Sequence, residues 1–339
     1  MPSIQENFSL KKLNTFGIAA SSKYFAACHS EDDLQEILSY NKVDLKDILI
    51  LGGGSNTLFT KNYNGLIIHN KLKGVSVINE TSEKYFVEVA AGENWHEFVM
   101  HCVNNGFAGI ENLALIPGNV GASPMQNIGA YGVEIQQVFH SLKAYHLFDK
   151  KIFTLSEKDC AFGYRESIFK KSLKGKCIIL SVIFALNKVP NLHTSYGAIE
   201  EELKKLHITN PTIKQVAEAV IKIRESKLPN PAVIGNAGSF FKNPIIPKTQ
   251  FNLLQLQYPN IIGYETTDHK IKVAAGWLIE TCGWKGYSAG NVGCHSKQAL
   301  VLVNNGNATG AEVYELSSKI IDSVSSKFGI ILEREVNII

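Results

Sequence analysis

The chain has 339 residues, of which 45% are hydrophobic and 19% charged, with a formal net charge of +3. This is the make-up of a folded chain too long for one core, and two domains are expected. Basic residues are scattered, with no run of five or six, which argues against nucleic-acid binding through a basic face but leaves room for a small anionic ligand held by a few cations.

The opening stretch MPSIQENFSLKKLNTF has no apolar core of signal-peptide length, and the longest apolar run, Ile178 to Leu186, is broken by Ser181 and falls short of a membrane span. A cytoplasmic protein without a membrane partner is expected. The six cysteines (Cys28, Cys102, Cys160, Cys177, Cys282, Cys294) include no Cys-x-x-Cys pair and read as buried free thiols.

Short segments rich in Ile, Val or Phe predict strands over 47–51, 65–69, 85–90 and 177–186. Between them, Asn94 is placed to cap a helix, with Glu97 three residues on. Trp95, Phe98, Val99, Cys102 and Val103 then share one face, and Gly106 ends it. Asn210-Pro211 opens a second helix, with Ile213, Val216, Val220 and Ile223 as its stripe, and a domain boundary is expected just before it, near residue 208. Thr309 and Glu312 form a capping box for a last helix, which Gly329 stops. The final ten residues, IILEREVNII, predict a strand with Glu333, Glu335 and Asn337 on one face and Leu332, Val336 and Ile338 on the other.

Two glycine-rich loops interrupt these elements. GGGSN, from Gly52 to Asn56, follows the apolar segment ILIL; IPGNVGASPMQNIGAYG, from Ile116 to Gly132, holds four glycines, two prolines and no charge. Either set serves as tight turns for packing or as a cradle in which backbone N–H groups, with Ser and Asn side chains, meet an anion. Two such loops in one domain favour a diphosphate cradle. The third glycine and the acidic strand end of a dinucleotide fingerprint are absent, as is a P-loop lysine. A cradle of neutral donors suits a permanently held cofactor such as FAD.

The ordered series LGGGSN, AAGENWHEFV, GIENLALIPGNVGASPMQNIGAYGVE, FGYRESIF, KLPNP, GNAGSFFKNP, KVAAGWLIE, QALVLVN and LEREV resembles the UDP-N-acetylenolpyruvoylglucosamine reductase family over nearly the whole chain. The resemblance implies an α+β protein. A vanillyl-alcohol-oxidase-like (PCMH-type) FAD-binding domain is expected over residues 17–188 and an α+β substrate-binding domain over 208–339, its last strand returning to the flavin. FAD would be the cofactor, with NADPH and the enolpyruvyl ether of a UDP-sugar as successive small-molecule partners of a monomeric enzyme.

Carried over residue by residue, the resemblance assigns flavin contacts to Gly52, Gly53, Gly54, Ser55, Asn56, Thr57, Pro117, Gly118, Gly121, Ala122, Ser123, Gln126, Asn127, Gly129, Tyr131 and Gly132. Arg224 is expected to contact the flavin or the domain junction. Reduction of an enolpyruvyl ether leaves negative charge at C2, which needs a cation at the adjacent carboxylate and a proton donor. By resemblance these are Arg165 and Ser239, with Glu335 helping to polarise the enolate. By residue type alone, Arg165 reads sooner as a surface ion pair and Ser239 sooner as a turn serine, while Glu335 reads equally as an exposed edge charge. Lys227 and Lys285 are expected at the substrate diphosphate, with Tyr164, Asn243, Tyr264 and Gln298 around it and the Tyr196 segment folding over the nucleotide. Arg334 and Asn337 stand where the family would have proline and arginine.

No metal site is expected. His96 and His101 are five apart, roughly 140° off-register on a helix, and Cys294-His295 has no partner pair. The alternatives are an FAD oxidase of the same fold, which would need neither Ser239 nor Lys227, and an inactive flavin or UDP-sugar binder.

Overall fold

The structure, a computed structural model, describes residues 2–339. It divides into two compact units. The first comprises the chain up to Phe8, Ser22–Gly53 and Asn64–Ser226; the second comprises Ser9–Ser21, Gly54–Tyr63 and Lys227–Ile339.

The first unit is built on two sheets. A four-stranded sheet runs in the order Gln5–Ser9, Ser21–Cys28, Tyr63–Asn70, Ile48–Leu51, the last pair parallel. A five-stranded antiparallel sheet runs Lys151–Ser156, Phe139–His146, Cys177–Asn187, Lys84–Ala90, Val75–Glu80. Strand Cys177–Asn187 serves two cores, and a bulge explains how. Lys143 pairs with Ser181 and Ala144 with Ile179, which leaves Leu180 as the extra residue. Before the bulge Ile178 and Leu180 join the cluster of Leu34, Ile37, Leu66 and Ile68. After it, parity flips, and Val182, Phe184 and Leu186 join Ile179 in the larger core.

Helix Trp95–Asn104 packs into that larger core. The Asn94 side chain accepts from Glu97 N–H, and the five expected apolar residues are its buried set. Trp95 and Phe98 meet Phe184 with ring centroids 5.8 and 5.3 Å apart, a geometry worth about 1 kcal/mol per pair beyond area burial.

Helix Ile213–Lys227 corrects the expected boundary. Thr212, one residue beyond Asn210-Pro211, caps it: Gln215 N–H donates to Thr212 Oγ1, and Thr212 N–H donates back to Gln215 Oε1. Ile213, Ala217, Ala219, Val220 and Ile223 enter the same core as Trp95. The helix therefore belongs to the first unit, and the chain changes units near residue 227 rather than 208. At the other end, Ser9–Ser21 lies in the second unit, so the first is not a continuous block from residue 17.

The second unit holds a four-stranded antiparallel sheet, Gly235–Ser239, Val301–Asn304, Val292–Cys294, Ser288–Ala289, and a three-stranded one, Ile245–Ile246, Ile271–Val273, Gly263–Glu265. Helix Gly310–Phe328 begins at the Thr309–Glu312 capping box, buries Val313, Leu316, Ile320, Val324 and Phe328, and ends at Gly329 with φ +64°.

The expected ten-residue terminal strand shrinks to Asn337–Ile338, which pairs in parallel with Thr57–Leu58. Upstream, only an isolated bridge joins Arg334 to Phe241. Arg334 is drawn to the last helix: its guanidinium donates to Ser317 and Ser318 hydroxyls and lies 4.3 Å from the Tyr314 ring centroid. Leu332 and Val336 are buried and Glu333 exposed, so the expected alternation survives without a continuous ladder.

Candidate functional site

In the first unit Gly52 and Gly53 lie against Gly118 and Asn119 of the second glycine loop. A Cβ on Gly53 would sit 2.9 Å from Asn119 Oδ1 and 3.0 Å from Gly118 Cα; one on Gly121 would sit 2.5 Å from Ala91 Cβ. Only bare backbone fits at these approaches.

Several polar residues expected at the cofactor hold the loops in shape. Ser123 is buried, and its hydroxyl donates to Val120 O. The amides of Gly121, Ala122 and Ser123 donate to Ala91, Asn119 and Val120 carbonyls, so none of the three remains for an anion. Asn127 is fully buried at φ +45°. Its Nδ2 donates to Glu134 and to Gly163 O, and its Oδ1 accepts from Gln136 N–H. In the second unit Asn56 Nδ2 donates to Glu335 O, while Asn56 O accepts from Asn337. The Ser123, Asn127 and Asn56 side chains thus support the backbone of the two loops.

Arg165 sits in a tight two-residue turn closed by Gly163 and Glu166. It adopts φ +54°, a conformation that costs a non-glycine residue roughly 1–2 kcal/mol. One guanidinium nitrogen donates to Gly129 O, at 2.6 Å, and the group lies 5.5 Å from the Tyr164 ring centroid. The guanidinium is therefore fixed beside the second glycine loop. Such backbone strain gathers at functional sites.

Leu115, just before the Ile116–Gly132 loop, and Tyr131, near its end, are also left-handed, at φ +58° and +50°. Arg224 holds both. Its Nε donates to Leu115 O at 3.2 Å, and its side chain is hydrogen-bonded to the Tyr131 hydroxyl. Burial raises the Tyr131 pKa, and burial lowers that of Arg224; an arginine this basic stays charged. Arg224 thus acts within the first unit. Tyr131 also meets Tyr196 edge-on, with ring centroids 5.4 Å apart. Asn112 Nδ2 ties Tyr131 O to His193 O, and its Oδ1 is buried without a hydrogen-bond partner.

In the second unit Ser239 and Glu335 come together. Ser239 is exposed at the end of strand Gly235–Ser239, anchored by the fully buried Phe240 and by Phe241. Glu335 N–H donates to Phe240 O at 2.8 Å, so the Glu335 segment runs alongside the serine. The substrate candidates are more dispersed. Asn243 Oδ1 accepts from Ala275 N–H, Lys285 pairs with Glu280 at 2.8 Å, and Gln298 Oε1 accepts from Leu300 N–H. Tyr264 is exposed on the three-stranded sheet, and Lys227 is an exposed helix end. Arg165 lies in the first unit, Ser239 and Glu335 in the second.

Two histidines without an expected role serve the loops. His96 Nδ1 accepts from Leu115 N–H, and His69, 7% exposed, is hydrogen-bonded to the Gly52 backbone. Neither contact was legible, because each partner lies far off in sequence. Burial, with Lys71 nearby, pushes the His69 pKa down to about 4. The folded chain then refuses a proton that the unfolded chain accepts at about 6.5. Stability should fall as pH drops from about 6.5 to about 4, by up to about 3 kcal/mol from this group, and level off below. Urea unfolding across that range should show the decline in wild type and a shallower one in His69→Leu; equal slopes would remove His69 as the cause.

Among the described residues no three His, Cys, Asp or Glu side chains are grouped to hold a metal. No described helix is long and apolar enough to cross a membrane. Burial raises the Cys28 and Cys177 thiols to about 11 and Cys160 and Cys294 to about 12, which leaves them inert as nucleophiles.

The residues present fit FAD: glycines at close approach, a loop without charge, and a buried amide oxygen in need of a donor. Residues 22–151 match a family model described as FAD binding domain, and residues 230–339 match one described as UDP-N-acetylenolpyruvoylglucosamine reductase, C-terminal domain. Fold and site together define a flavoprotein oxidoreductase with an FAD-binding domain and an α+β C-terminal domain. The chain is 50% identical over 337 residues to a UDP-N-acetylenolpyruvoylglucosamine reductase of Flavobacterium johnsoniae, covering 99% of each, and 49% identical to one of Amoebophilus asiaticus, again covering 99% of each. The crystal structure of the Thermus caldophilus reductase agrees in fold, with a TM-score of 0.69 at 20% identity over 100% of this chain and 98% of that one. The chain belongs to the UDP-N-acetylenolpyruvoylglucosamine reductase family, oxidoreductases of peptidoglycan synthesis.

Proposed function

We propose that the protein uses NADPH to reduce the enolpyruvyl ether of UDP-N-acetylglucosamine to UDP-N-acetylmuramate. The observation that carries this reading is the exposed Ser239 hydroxyl beside the Glu335 segment, on a turn anchored by two buried phenylalanines. Gly52, Gly53 and Gly118 line the backbone surface that would hold FAD, shaped by Ser123, Asn127 and Asn119. Bound FAD would supply the hydride, taken from NADPH, that adds to C3 of the enolpyruvyl group.

The chain's own residues handle the charge and the proton. The Arg165 guanidinium, held by Gly129 O, pairs with the substrate carboxylate into which the C2 charge is delocalised. Ser239 donates its hydroxyl proton to C2, and Glu335 polarises the enolate. Lys227 and Lys285 meet the diphosphate, and Tyr196 covers the nucleotide from its place against Tyr131. NADPH and substrate act in turn, which implies ping-pong kinetics.

An anaerobic titration tests the reading. The yellow holoprotein should bleach with NADPH and regain its colour on addition of the enolpyruvyl ether. Colour that returns only with oxygen would point to an oxidase, and failure to bleach would point to an inactive binder.

A further inference from the structure

His96 and Arg224 grip one residue through its two flanking peptide groups. His96 Nδ1 accepts the Leu115 N–H at 3.0 Å, while Arg224 Nε donates to the Leu115 carbonyl at 3.2 Å. The gripped residue is a leucine at φ +58°, a conformation its side chain disfavours, and the glycine-rich loop begins at the next residue. Two helices supply the grip, Trp95–Asn104 and Ile213–Lys227, and both are anchored in the same core. Arg224 also bonds Tyr131 at the far end of the loop. Released from these bonds, Leu115 would relax toward negative φ and swing the loop.

We propose that His96, as the neutral imidazole, is a positioning residue for the flavin: with Arg224 it clamps Leu115 in the left-handed conformation and so presets the Ile116–Gly132 loop for FAD. The inference rests on the FAD reading of that loop. As an acceptor, Nδ1 must carry a lone pair, so the ring proton is on Nε2. Protonation would turn Nδ1 into a donor facing a donor. Burial lowers the His96 pKa most; Arg224 also lowers it, against Glu97 on its own helix and Glu225 on the other. The clamp is therefore closed at neutral pH and opens on acidification.

The test is FAD binding to full-length apoprotein, by equilibrium dialysis from pH 8 to pH 5, for wild type, His96→Leu and His96→Asn. His96→Leu leaves the Leu115 N–H unpaired and should weaken FAD binding about tenfold or more at pH 8. The Asn Oδ1 takes the place of Nδ1 and does not titrate, so His96→Asn should keep near-wild-type affinity at pH 8 and lose affinity less steeply in acid. Wild-type affinity in His96→Leu, or a wild-type pH profile in His96→Asn, overturns the clamp. If circular dichroism shows His96→Leu unfolded, the asparagine profile decides alone. Failure of the wild type itself to bind FAD would overturn the cofactor reading instead.

Discussion

Ser239→Ala is expected to leave bleaching of the flavin by NADPH unchanged and to slow recovery of colour by the enolpyruvyl substrate about a hundred- to ten-thousandfold. That is the range associated with loss of a positioned general acid. The structure makes this a clean substitution. Ser239 is exposed, and its strand is held by Phe240 at 0% and Phe241 at 1% exposure, so removing one hydroxyl leaves the packing untouched. Serine is a weak acid, yet a carbanion at C2 is a strong base, and the transfer is downhill. Stopped-flow absorbance separates the two half-reactions. Equal slowing of both would show that Ser239 supports the site without giving up the proton, and no slowing would move the proton to another group.

Gly54→Ala is expected to be the most destabilising single-methyl addition in the glycine loops. Gly54 has φ +59°, and a Cβ there would lie 1.9 Å from Leu13 O and 2.9 Å from Leu13 C. These are backbone atoms that cannot swing aside, and Gly54 O accepts the neighbouring Thr15 N–H. A loss of more than about 4 kcal/mol is expected, in the range reserved for gross steric conflict. Gly17 is the control: it has φ +67° with nothing within 4 Å of a built Cβ. Gly17→Ala should cost only the left-handed backbone penalty, about 1–2 kcal/mol. Urea unfolding of the two variants decides between collision and conformation, and equal losses would dismiss the collision.

The sequence spoke most clearly where a local rule and the tertiary fold agree. Helix Trp95–Asn104 buries the five residues its periodicity selects, and the Thr309–Glu312 box and Gly329 bound the last helix as read. It misled where distant contacts decide. Asn210-Pro211 looks like a break between domains, but the stripe that follows is claimed by the first unit's core. The terminal segment has a strand's alternation, but Arg334 is bound to Ser317 and Ser318 and only two residues join a ladder. The loop-bracing bonds of the Asn127 amide to Glu134, Gln136 and Gly163 could not be read from the sequence either. Positive φ was invisible at Leu115, Tyr131 and Arg165, because nothing in those side chains announces it. The motif residues Ser239 and Glu335, by contrast, could be named from the resemblance, and the hydrogen bond from Glu335 to Phe240 is a tertiary fact that no local pattern holds.

The second unit is assembled from three separate stretches, and its closing ladder joins Asn337–Ile338 to Thr57–Leu58. Those partners are 280 positions apart in sequence. During translation the Thr57–Leu58 segment cannot complete this ladder until Asn337 and Ile338 have been made. Closure across so long a span is slow, so this half should be the later of the two to mature.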